Sequence, residues 1–351
     1  MNTPYAARRD RLRQLMRARG LDALLVSHAA NRFYLSGFEL HDVQLNESAG
    51  RLVICTDARY KDAAARLWDE DRILIYGPDA ATEIGQLMRR CGSRLGLEAE
   101  IVSLNFARSL GRAVGRGAHL QAADGLVEEL RVIKDADEIK ALERSFALNH
   151  AMLRWLEESQ LQPGRSEAEL AWAIEKYFRD NGASELAFPS IVAVDQNAAL
   201  PHAIPGEKKL PDNGLVLVDV GCRVDGYCSD QTRTFWVGDT PHKEFRETMK
   251  LVRDAQQAAL DKMRPGLPLH EAYTLARGVF EKAGVEAWFT HGLGHGVGLE
   301  THEAPSLGRR GDKVLQEGMV VTVEPGLYYP QWGGIRWEYT VLITADGNRI
   351  L

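Results

Sequence analysis

Residues 215–221 have the sequence LVLVDVG, and residues 227–230 have the sequence YCSD. Asp219 stands near the end of an otherwise wholly apolar run, which predicts a buried strand that carries one carboxylate. Burying a carboxylate is costly unless it is paired or binds a metal. The intervening glycines permit a tight reversal, so a second strand can bring Asp230 back beside Asp219. Two adjacent carboxylates repel each other, and a cation between them would remove that repulsion.

A second segment combines histidines with glycines. Residues 291–298 have the sequence HGLGHGVG, in which four glycines let the backbone approach another group closely. His291 and His295 lie in this segment, and His302 follows seven residues after His295. Histidines set among the glycines favour a ligand site over a merely flexible loop. His202 stands in a loop flanked by prolines, where a histidine by itself is typical of a surface residue.

Two more segments place carboxylates on predicted strands. Residues 319–326, MVVTVEPG, form another apolar run that ends in a carboxylate, Glu324. Residues 334–341, GIRWEYTV, alternate in character, so that Arg336 and Glu338 share one face of a strand and the apolar side chains share the other. A charged face within a strand-rich core indicates a site and not a solvated surface.

Together these segments supply four carboxylates and one imidazole, which are too many anionic groups for one ion. Such a set suits two divalent cations about 3.5–4 Å apart that share bridging carboxylates. An oxygen-rich set with one nitrogen favours Mn, with Co, Fe or Zn as alternatives, and the lack of cysteine ligands argues against a structural zinc site. The predicted metal ligands are Asp219, Asp230, His295, Glu324 and Glu338.

At these residues the sequence resembles the metallopeptidase family that contains aminopeptidase P, prolidase and methionine aminopeptidase. The resemblance implies an α+β "pita-bread" catalytic domain over residues 126–351. It also implies, over residues 1–125, an α/β domain like the N-terminal domain of creatinase and prolidase. Methionine aminopeptidases generally lack that first domain, so its presence favours the branch that cleaves before proline.

The resemblance also implies a role for each ligand. Asp219 is expected to bind one metal through both oxygens, Asp230 and Glu338 to bridge the pair, and His295 and Glu324 to complete the other metal. In this family a water activated by the metals attacks the scissile carbonyl. Glu324 is therefore the expected proton shuttle.

The resemblance extends to residues around the ligands. His202, His291 and His302 match histidines that face the substrate or steady the tetrahedral intermediate, so they join Glu324 as predicted catalytic residues. Thr232 and Arg336 are expected to orient the ligand carboxylates.

The pattern along the chain supports two domains. In the first half, strands near residues 21–26, 51–55 and 73–76 alternate with helices, which is typical of an α/β layer. A long charged helix is predicted from about residue 126 to 159, with the domain boundary just before it. Ser166 and Glu169 form a predicted capping box at the start of the next helix.

Composition limits the partners of this 351-residue chain. With 43 basic and 49 acidic residues its net charge is −6, which argues against nucleic acid as the main partner. We find no run of signal-peptide or membrane-span character, so we expect a cytoplasmic protein without a membrane partner. The four cysteines are too few for a disulfide framework in a chain of this length, and we expect them to be reduced.

The leading hypothesis is a peptidase that cleaves small peptides with proline at position 2. Whether it is a dipeptidase or an aminopeptidase P for longer peptides stays open. Two alternatives on the same fold are a non-catalytic peptide-binding protein and a metal-free amidinohydrolase similar to creatinase. A homodimer is expected from the resemblance alone.

Two features depart from the family pattern. Tyr339 stands where relatives often have an aspartate, and alternation predicts that it points away from the metals. Residues 39–51 contain an insertion that is expected to form a loop at a partner subunit or at the mouth of the site. Arg51, at the end of this loop, is a candidate binding group for the free carboxylate of a dipeptide.

Overall fold

The computed structural model describes residues 4–38, 44–48, 50–66, 68–69 and 72–351. The chain divides into two compact units, residues 1–131 and residues 132–351. The domain boundary predicted near residue 125 stays a prediction, and the short helix that follows it belongs to the first unit. Among the described residues, no helix has the length and apolar character needed to cross a membrane.

The first unit alternates helices with strands, as the sequence predicts. Its helices are α1 Pro4–Ala18, α2 Ala29–Ser36, α3 Lys61–Ala65, α4 Ala80–Cys91, α5 Leu104–Val114 and α6 Leu126–Arg131. Its strands are β1 Ala23–Val26, β2 Gln44–Ser48, β3 Arg51–Thr56, β4 Ile73–Ile75, β5 Arg94–Leu97 and β6 His119–Ala122. A short 3-10 helix covers Ala58–Tyr60.

These strands form one mixed sheet in the order β4-β3-β2-β1-β5-β6. Strand β2 pairs antiparallel with both β1 and β3. The pairs β3–β4, β1–β5 and β5–β6 are parallel. The predicted loop over residues 39–51 is therefore wrong for residues 44–48, which form the buried strand β2. Residues 39–43 lie outside the described residues, and Arg51 begins β3.

The second unit carries longer helices and more strands. Its helices are α7 Ala136–Ser159, α8 Glu167–Asp180, α9 Lys243–Leu260 and α10 Leu269–Lys282. Its strands are β7 Glu185–Leu186, β8 Ile191–Val194, β9 Gly214–Val220, β10 Cys222–Val224, β11 Tyr227–Cys228, β12 Gln231–Val237, β13 Gly294–Gly296, β14 Glu303–Leu307, β15 Val320–Val323, β16 Gly326–Tyr329, β17 Gly333–Arg336, β18 Tyr339–Ile343 and β19 Asn348–Ile350. Further 3-10 helices cover Asp195–Ala199 and Glu286–Trp288.

Two antiparallel sheets of this unit carry the residues of interest. One has the order β12-β9-β8 and the other the order β14-β13-β15-β18-β19, while β16 and β17 form a hairpin. Buried apolar side chains of these strands pack with α9 and α10 in the larger core cluster and with α7 and α8 in the other. The ends of β9 and β15, where the predicted ligands stand, are thus held by well-packed strands.

Local sequence explains where the helices begin. The capping box predicted at Ser166 is confirmed, since its hydroxyl accepts from the Glu169 amide and the Glu169 carboxylate accepts from the Ser166 amide. The long helix predicted over residues 126–159 is instead two helices, α6 and α7. The predicted helix is interrupted before Asp135, because Asp135 is the N-cap of α7 and forms a capping box with Glu138.

The strand predicted over residues 335–343 is likewise interrupted at Trp337 and Glu338. The Trp337 carbonyl accepts from the side chain of Gln256 on α9, and the Glu338 amide donates to the Thr232 carbonyl. These backbone groups therefore have partners outside a regular ladder. The partition into two faces nevertheless survives, because Arg233 lies over the rings of Trp337 and Tyr339 while Glu338 faces Thr232.

Candidate metal centre

Three predicted carboxylate ligands come together at the ends of strands. Antiparallel pairing of β9 with β12 places Thr232 opposite Asp219, so Asp230 lies just beyond the paired segment. Glu338 follows β17, and one carboxylate oxygen from each of Asp219, Asp230 and Glu338 lies within 4.8 Å of the others. The sequence expectation that a chain reversal brings Asp230 close to Asp219 is therefore met by the structure.

The donor atoms of this cluster fit divalent cations. Asp219 Oδ1 and Glu338 Oε1 are buried and have no hydrogen-bond partner among the residues that the structure describes. Buried carboxylate oxygens without partners are unfavourable unless a cation satisfies them. A set of oxygens with one adjacent imidazole suits Mn, Fe, Co or Zn, so the residues present fit the two metals that the sequence predicts.

His295 and Glu324 complete the group of predicted ligands. His295 Nε2 lies 3.3 Å from Glu324 Oε1 and 3.6 Å from Asp230 Oδ2. Burial lowers the pKa of His295, but the hydrogen bond to Glu324 and the charge of that residue outweigh burial and raise the pKa to about 9. Since only a neutral imidazole binds a metal, metal uptake at His295 must displace a proton.

Burial and neighbouring charges shift the pKa values of the carboxylates away from their usual range, and not all in the same direction. Burial, together with the neighbouring acids Glu324 and Asp219, raises the pKa of Glu338 to about 8. Burial and the charge of Glu338 also raise the pKa of Asp230 well above its usual range. Burial raises the pKa of Glu324 as well, yet His295 outweighs it and holds that pKa at about 2. Cations placed among these acids would favour their ionised forms.

Arg336 and Thr232 hold the carboxylates in place. Arg336 donates through Nη2 to Asp219 Oδ2 at 2.6 Å and through Nε to Thr232 Oγ1 at 2.9 Å. Thr232 Oγ1 in turn donates to Glu338 Oε2 at 2.9 Å. One oxygen of Asp219 and one of Glu338 are thereby fixed by hydrogen bonds, while the other oxygen of each remains for a cation.

Tyr328 is a buried site residue that the sequence reasoning missed. Its hydroxyl accepts from Arg336 Nη1 at 2.8 Å and lies 2.8 Å from His291 Nε2. His291 Nδ1 lies 2.7 Å from the Gly292 carbonyl, which can only accept, so Nδ1 carries the proton and Nε2 accepts from Tyr328. The sequence offers only a weak signal for Tyr328, its position four residues after Glu324.

The other predicted histidines lie around the same site. The ring of His302 lies 4.1 Å from that of His295, centroid to centroid. Both ring nitrogens of His291 are engaged, and burial lowers its pKa. His202 is exposed, and it faces the same cavity as the ligands.

A cavity of about 570 Å³ opens beside the ligands. Its polar wall contains Asp219, Asp230, His202, His291, His295, His302, Glu324 and Arg336. Its apolar wall contains Phe188, Pro189, Ile191, Pro201, Ala203, Ile204 and Pro205. The cavity therefore joins a cluster of acids and imidazoles to an apolar surface, which is the arrangement expected of a site for a small, partly apolar substrate.

Glycines at two points allow the close backbone contacts of this site. A Cβ atom on Gly294 would lie 1.9 Å from the Thr322 carbonyl oxygen, and one on Gly221 would lie 2.1 Å from the Ser229 carbonyl oxygen. Neither position can carry a side chain without moving backbone. The glycine-rich segment around His295 is thus built for close strand packing, which fixes the imidazole against Glu324.

Residues 140–345 match the profile of Metallopeptidase family M24, which covers more than half of the chain. The chain belongs to metallopeptidase family M24. Residues 8–133 of this M24 metallopeptidase match the Creatinase/Prolidase N-terminal domain. The predicted pairing of an α/β N-terminal domain with a pita-bread catalytic domain is confirmed.

Individual relatives of this M24 metallopeptidase cover nearly its whole length. A Xaa-Pro dipeptidase of Pyrococcus horikoshii is 31% identical over 96% of this chain and 94% of its own. The solved structure of a Xaa-Pro dipeptidase from Bacillus anthracis is 33% identical, with a TM-score of 0.94 over 99% of this chain and 97% of its own. An X-Pro aminopeptidase from Thermotoga maritima is 30% identical, with a TM-score of 0.88 over 98% and 97% of the two chains.

Proposed function

We propose that this M24 metallopeptidase hydrolyses the peptide bond between an N-terminal residue and a following proline. The observation that carries the proposal is the convergence of the predicted ligands on one cavity that also has an apolar wall. Relatives named Xaa-Pro dipeptidase and X-Pro aminopeptidase share both domains with this chain. Their names include both substrate lengths, so the choice between dipeptidase and aminopeptidase P stays open.

Asp219, Asp230, His295, Glu324 and Glu338 would hold two divalent ions, which we propose to be manganese. When bound, the ions would lower the pKa of a coordinated water and polarise the scissile carbonyl. Asp230 and Glu338 are the proposed bridging ligands, as the resemblance to the family implies, and their oxygens lie within 4.8 Å of each other and of Asp219. Arg336 keeps Asp219 in position through its 2.6 Å hydrogen bond.

Glu324 is the proposed proton carrier. The pKa that His295 imposes on it keeps it ionised at neutral pH, so that it can accept a proton at the start of the reaction. Its carboxylate faces the cavity and is oriented by the hydroxyl of Thr322, which donates to Oε1 at 3.2 Å. Glu324 can then return the proton to the leaving amine of proline.

The remaining residues of the cavity would bind the peptide. His202 and His302 would offer imidazole nitrogens to the substrate carbonyl. His291 accepts a hydrogen bond from the Tyr328 hydroxyl and so holds that side chain in place. Phe188 and Ile204 belong to an apolar wall that would receive the pyrrolidine ring. Burial of an apolar ring against such a wall favours proline over a polar residue at that position.

A substrate panel tests this proposal. Metal-depleted protein would be supplied with Mn²⁺ and offered Ala-Pro, Ala-Pro-Ala and Met-Ala-Ala. We expect cleavage of one or both proline peptides, and the preferred length distinguishes the dipeptidase from aminopeptidase P. Cleavage of Met-Ala-Ala alone would contradict proline specificity. Failure on all three would favour the peptide-binding or creatinase-like alternative.

Matched variants separate the chemistry from folding. Glu324→Gln should lower kcat by about a hundredfold or more because general acid–base catalysis contributes roughly 10²–10⁴-fold. Glu317→Gln, which changes an exposed acid elsewhere in the same unit, should keep full activity. Equal loss in both variants would show that the effect is not specific to the site.

Two wider proposals have their own tests. We propose that the enzyme is a homodimer, which sedimentation of the metal-loaded protein would test. We also propose that it acts in the cytoplasm, which fractionation of the source cells would test.

A further inference from the structure

A second cavity, of about 660 Å³, lies in the same unit and shares no lining residue with the metal centre. It is bounded by side chains of α7, β12 and α9 and by Trp337, which stands between Arg336 and Glu338 in the sequence. Because those two neighbours face the ligands while Trp337 lines this cavity, the two cavities lie on opposite sides of the same segment.

The second cavity carries an excess of positive charge. Arg154, Arg233 and Arg253 line it, against one carboxylate, Glu157, and one histidine, His150. Burial lowers the pKa of His150, so the imidazole is neutral at neutral pH. The lining therefore has three positive charges and one negative charge, an excess of two.

The charge of the three arginines is only partly offset, since Glu338 and Glu157 act on Arg233 from beyond ion-pair distance. Among the described residues, none of the three forms an ion pair with a carboxylate, and Glu157 pairs with none of them. Two of the guanidinium groups, those of Arg233 and Arg253, lie over the ring of Trp337 at 4.7 and 4.5 Å from its centroid. The ring attracts each cation, but the two cations repel each other, and an anion bound beside them would offset that repulsion.

Arg233 is fixed in a way that leaves donors available. Its Nη1 donates to the carbonyls of Thr232, at 2.9 Å, and Glu338, at 2.5 Å. Its Nε and Nη2 make no hydrogen bond to any residue that the structure describes. A guanidinium held at one corner and unpaired along its other edge matches the two-point recognition of a phosphate or carboxylate.

Apolar side chains also line the cavity. Phe235, Trp236 and Met249 line it beside the arginines. Its volume also exceeds what a bare inorganic ion needs, since one water occupies about 30 Å³ of liquid. The geometry points to a binding site for a small organic dianion, a phosphate monoester carried on an apolar group, distinct from the metal centre and from the proposed peptide substrate.

Calorimetric titration of the metal-loaded enzyme with inorganic phosphate and with phenyl phosphate tests this site, using chloride at matched ionic strength as the blank. We expect phenyl phosphate to bind more tightly than inorganic phosphate because its ring contacts the apolar wall. Arg253→Gln and Arg154→Gln should each weaken phenyl phosphate at least about tenfold, the value of one charge-assisted hydrogen bond. Arg310→Gln, at an exposed arginine elsewhere in the unit, should leave binding unchanged.

Phosphate can also bind the metals, so a second readout separates the two sites. Competitive inhibition of Ala-Pro hydrolysis by phenyl phosphate reports the metal centre and should have the same inhibition constant in Arg253→Gln as in the wild type. Full peptidase activity would show that the variants fold. Calorimetric affinity that changes less than twofold in both cavity variants would overturn the proposal, as would heats equal to those of the chloride blank.

Discussion

Replacement of Asp230 by asparagine should change stability in opposite directions with and without metal. Asp230 is 5% exposed, and one of its oxygens lies within 4.8 Å of oxygens from Asp219 and Glu338. Without cations this buried carboxyl group lies beside two other acids, and burial and the neighbouring charges raise its pKa. With cations it is a ligand, so the same substitution removes a repulsion in one state and an attraction in the other.

The magnitude follows from these separations. For two ionised carboxylates whose oxygens lie no more than 4.8 Å apart, an effective dielectric constant of about 20 gives a repulsion of at least roughly 3 kcal/mol. Partial protonation relieves some of this, so chelated Asp230→Asn should be more stable than chelated wild type by about 1–3 kcal/mol. Metal at a hundred times its dissociation constant stabilises the wild type by about 2.7 kcal/mol per site, and loss of a bridging ligand should remove most of that gain.

Thermal unfolding in Mn²⁺ and in excess chelator measures both effects. Chelation should lower the Tm of the wild type and leave that of Asp230→Asn nearly unchanged. The Tm order of the two proteins should therefore invert between the two buffers. Asp239→Asn, at an exposed acid in the same unit, should follow the wild type in both.

Either of two results would refute this reasoning. Wild-type melting curves that coincide with and without chelator would mean that the cluster takes up no metal. An Asp230→Asn protein that is less stable than wild type even in chelator would mean that the carboxylates do not repel one another as their spacing requires.

Three other perturbations have defined outcomes. Tyr328→Phe removes the hydroxyl between Arg336 and His291 and should lower kcat/KM for the preferred proline peptide about tenfold, whereas an unchanged value would exclude a positioning role. Lys134→Met should cost about 1–3 kcal/mol in urea unfolding because it removes the fully buried ammonium that lies 2.6 Å from Glu303 Oε1, and adding Glu303→Gln should restore most of the loss. Burial raises the pKa of Glu47 from 4.5 to about 7, despite Arg13, so the folded state keeps a proton that the unfolded state releases and stability falls as pH rises between these values. Glu47→Gln should flatten that fall by about 2–3 kcal/mol, and parallel pH profiles for variant and wild type would disprove it.

The candidate metal ligands could be predicted from the sequence because the prediction depends on residue types and on the residues next to them. An apolar strand that ends in a carboxylate, as at Asp219 and Glu324, is costly enough to need a reason, and a cation supplies one. The capping box at Ser166 was also local and was predicted correctly. Such features depend on neighbours within a few residues, which the sequence displays directly.

Secondary structure predicted from local patterns was wrong where backbone groups bond to segments far away in the chain. The helix predicted across residues 126–159 divides at Asp135, and the predicted loop over residues 39–51 contains β2, which pairs with strands on both sides. The strand around Glu338 breaks because Gln256 on α9 bonds to the Trp337 carbonyl. Contacts between residues far apart in the chain decided each of these cases.

The sequence by itself predicted which groups are candidate metal ligands and which family of metallopeptidases the chain belongs to. Only the tertiary structure decided that these groups meet, that one oxygen each of Asp219 and Glu338 is left for a cation, and that Tyr328 joins Arg336 to His291. It also decided that unpaired arginines gather around Trp337 on the other side of the ligand segment. The physical reason is that residue type and local hydrophobic periodicity determine the chemistry and the burial of a side chain. Strand pairing and packing determine which distant side chains come within a few ångströms of one another.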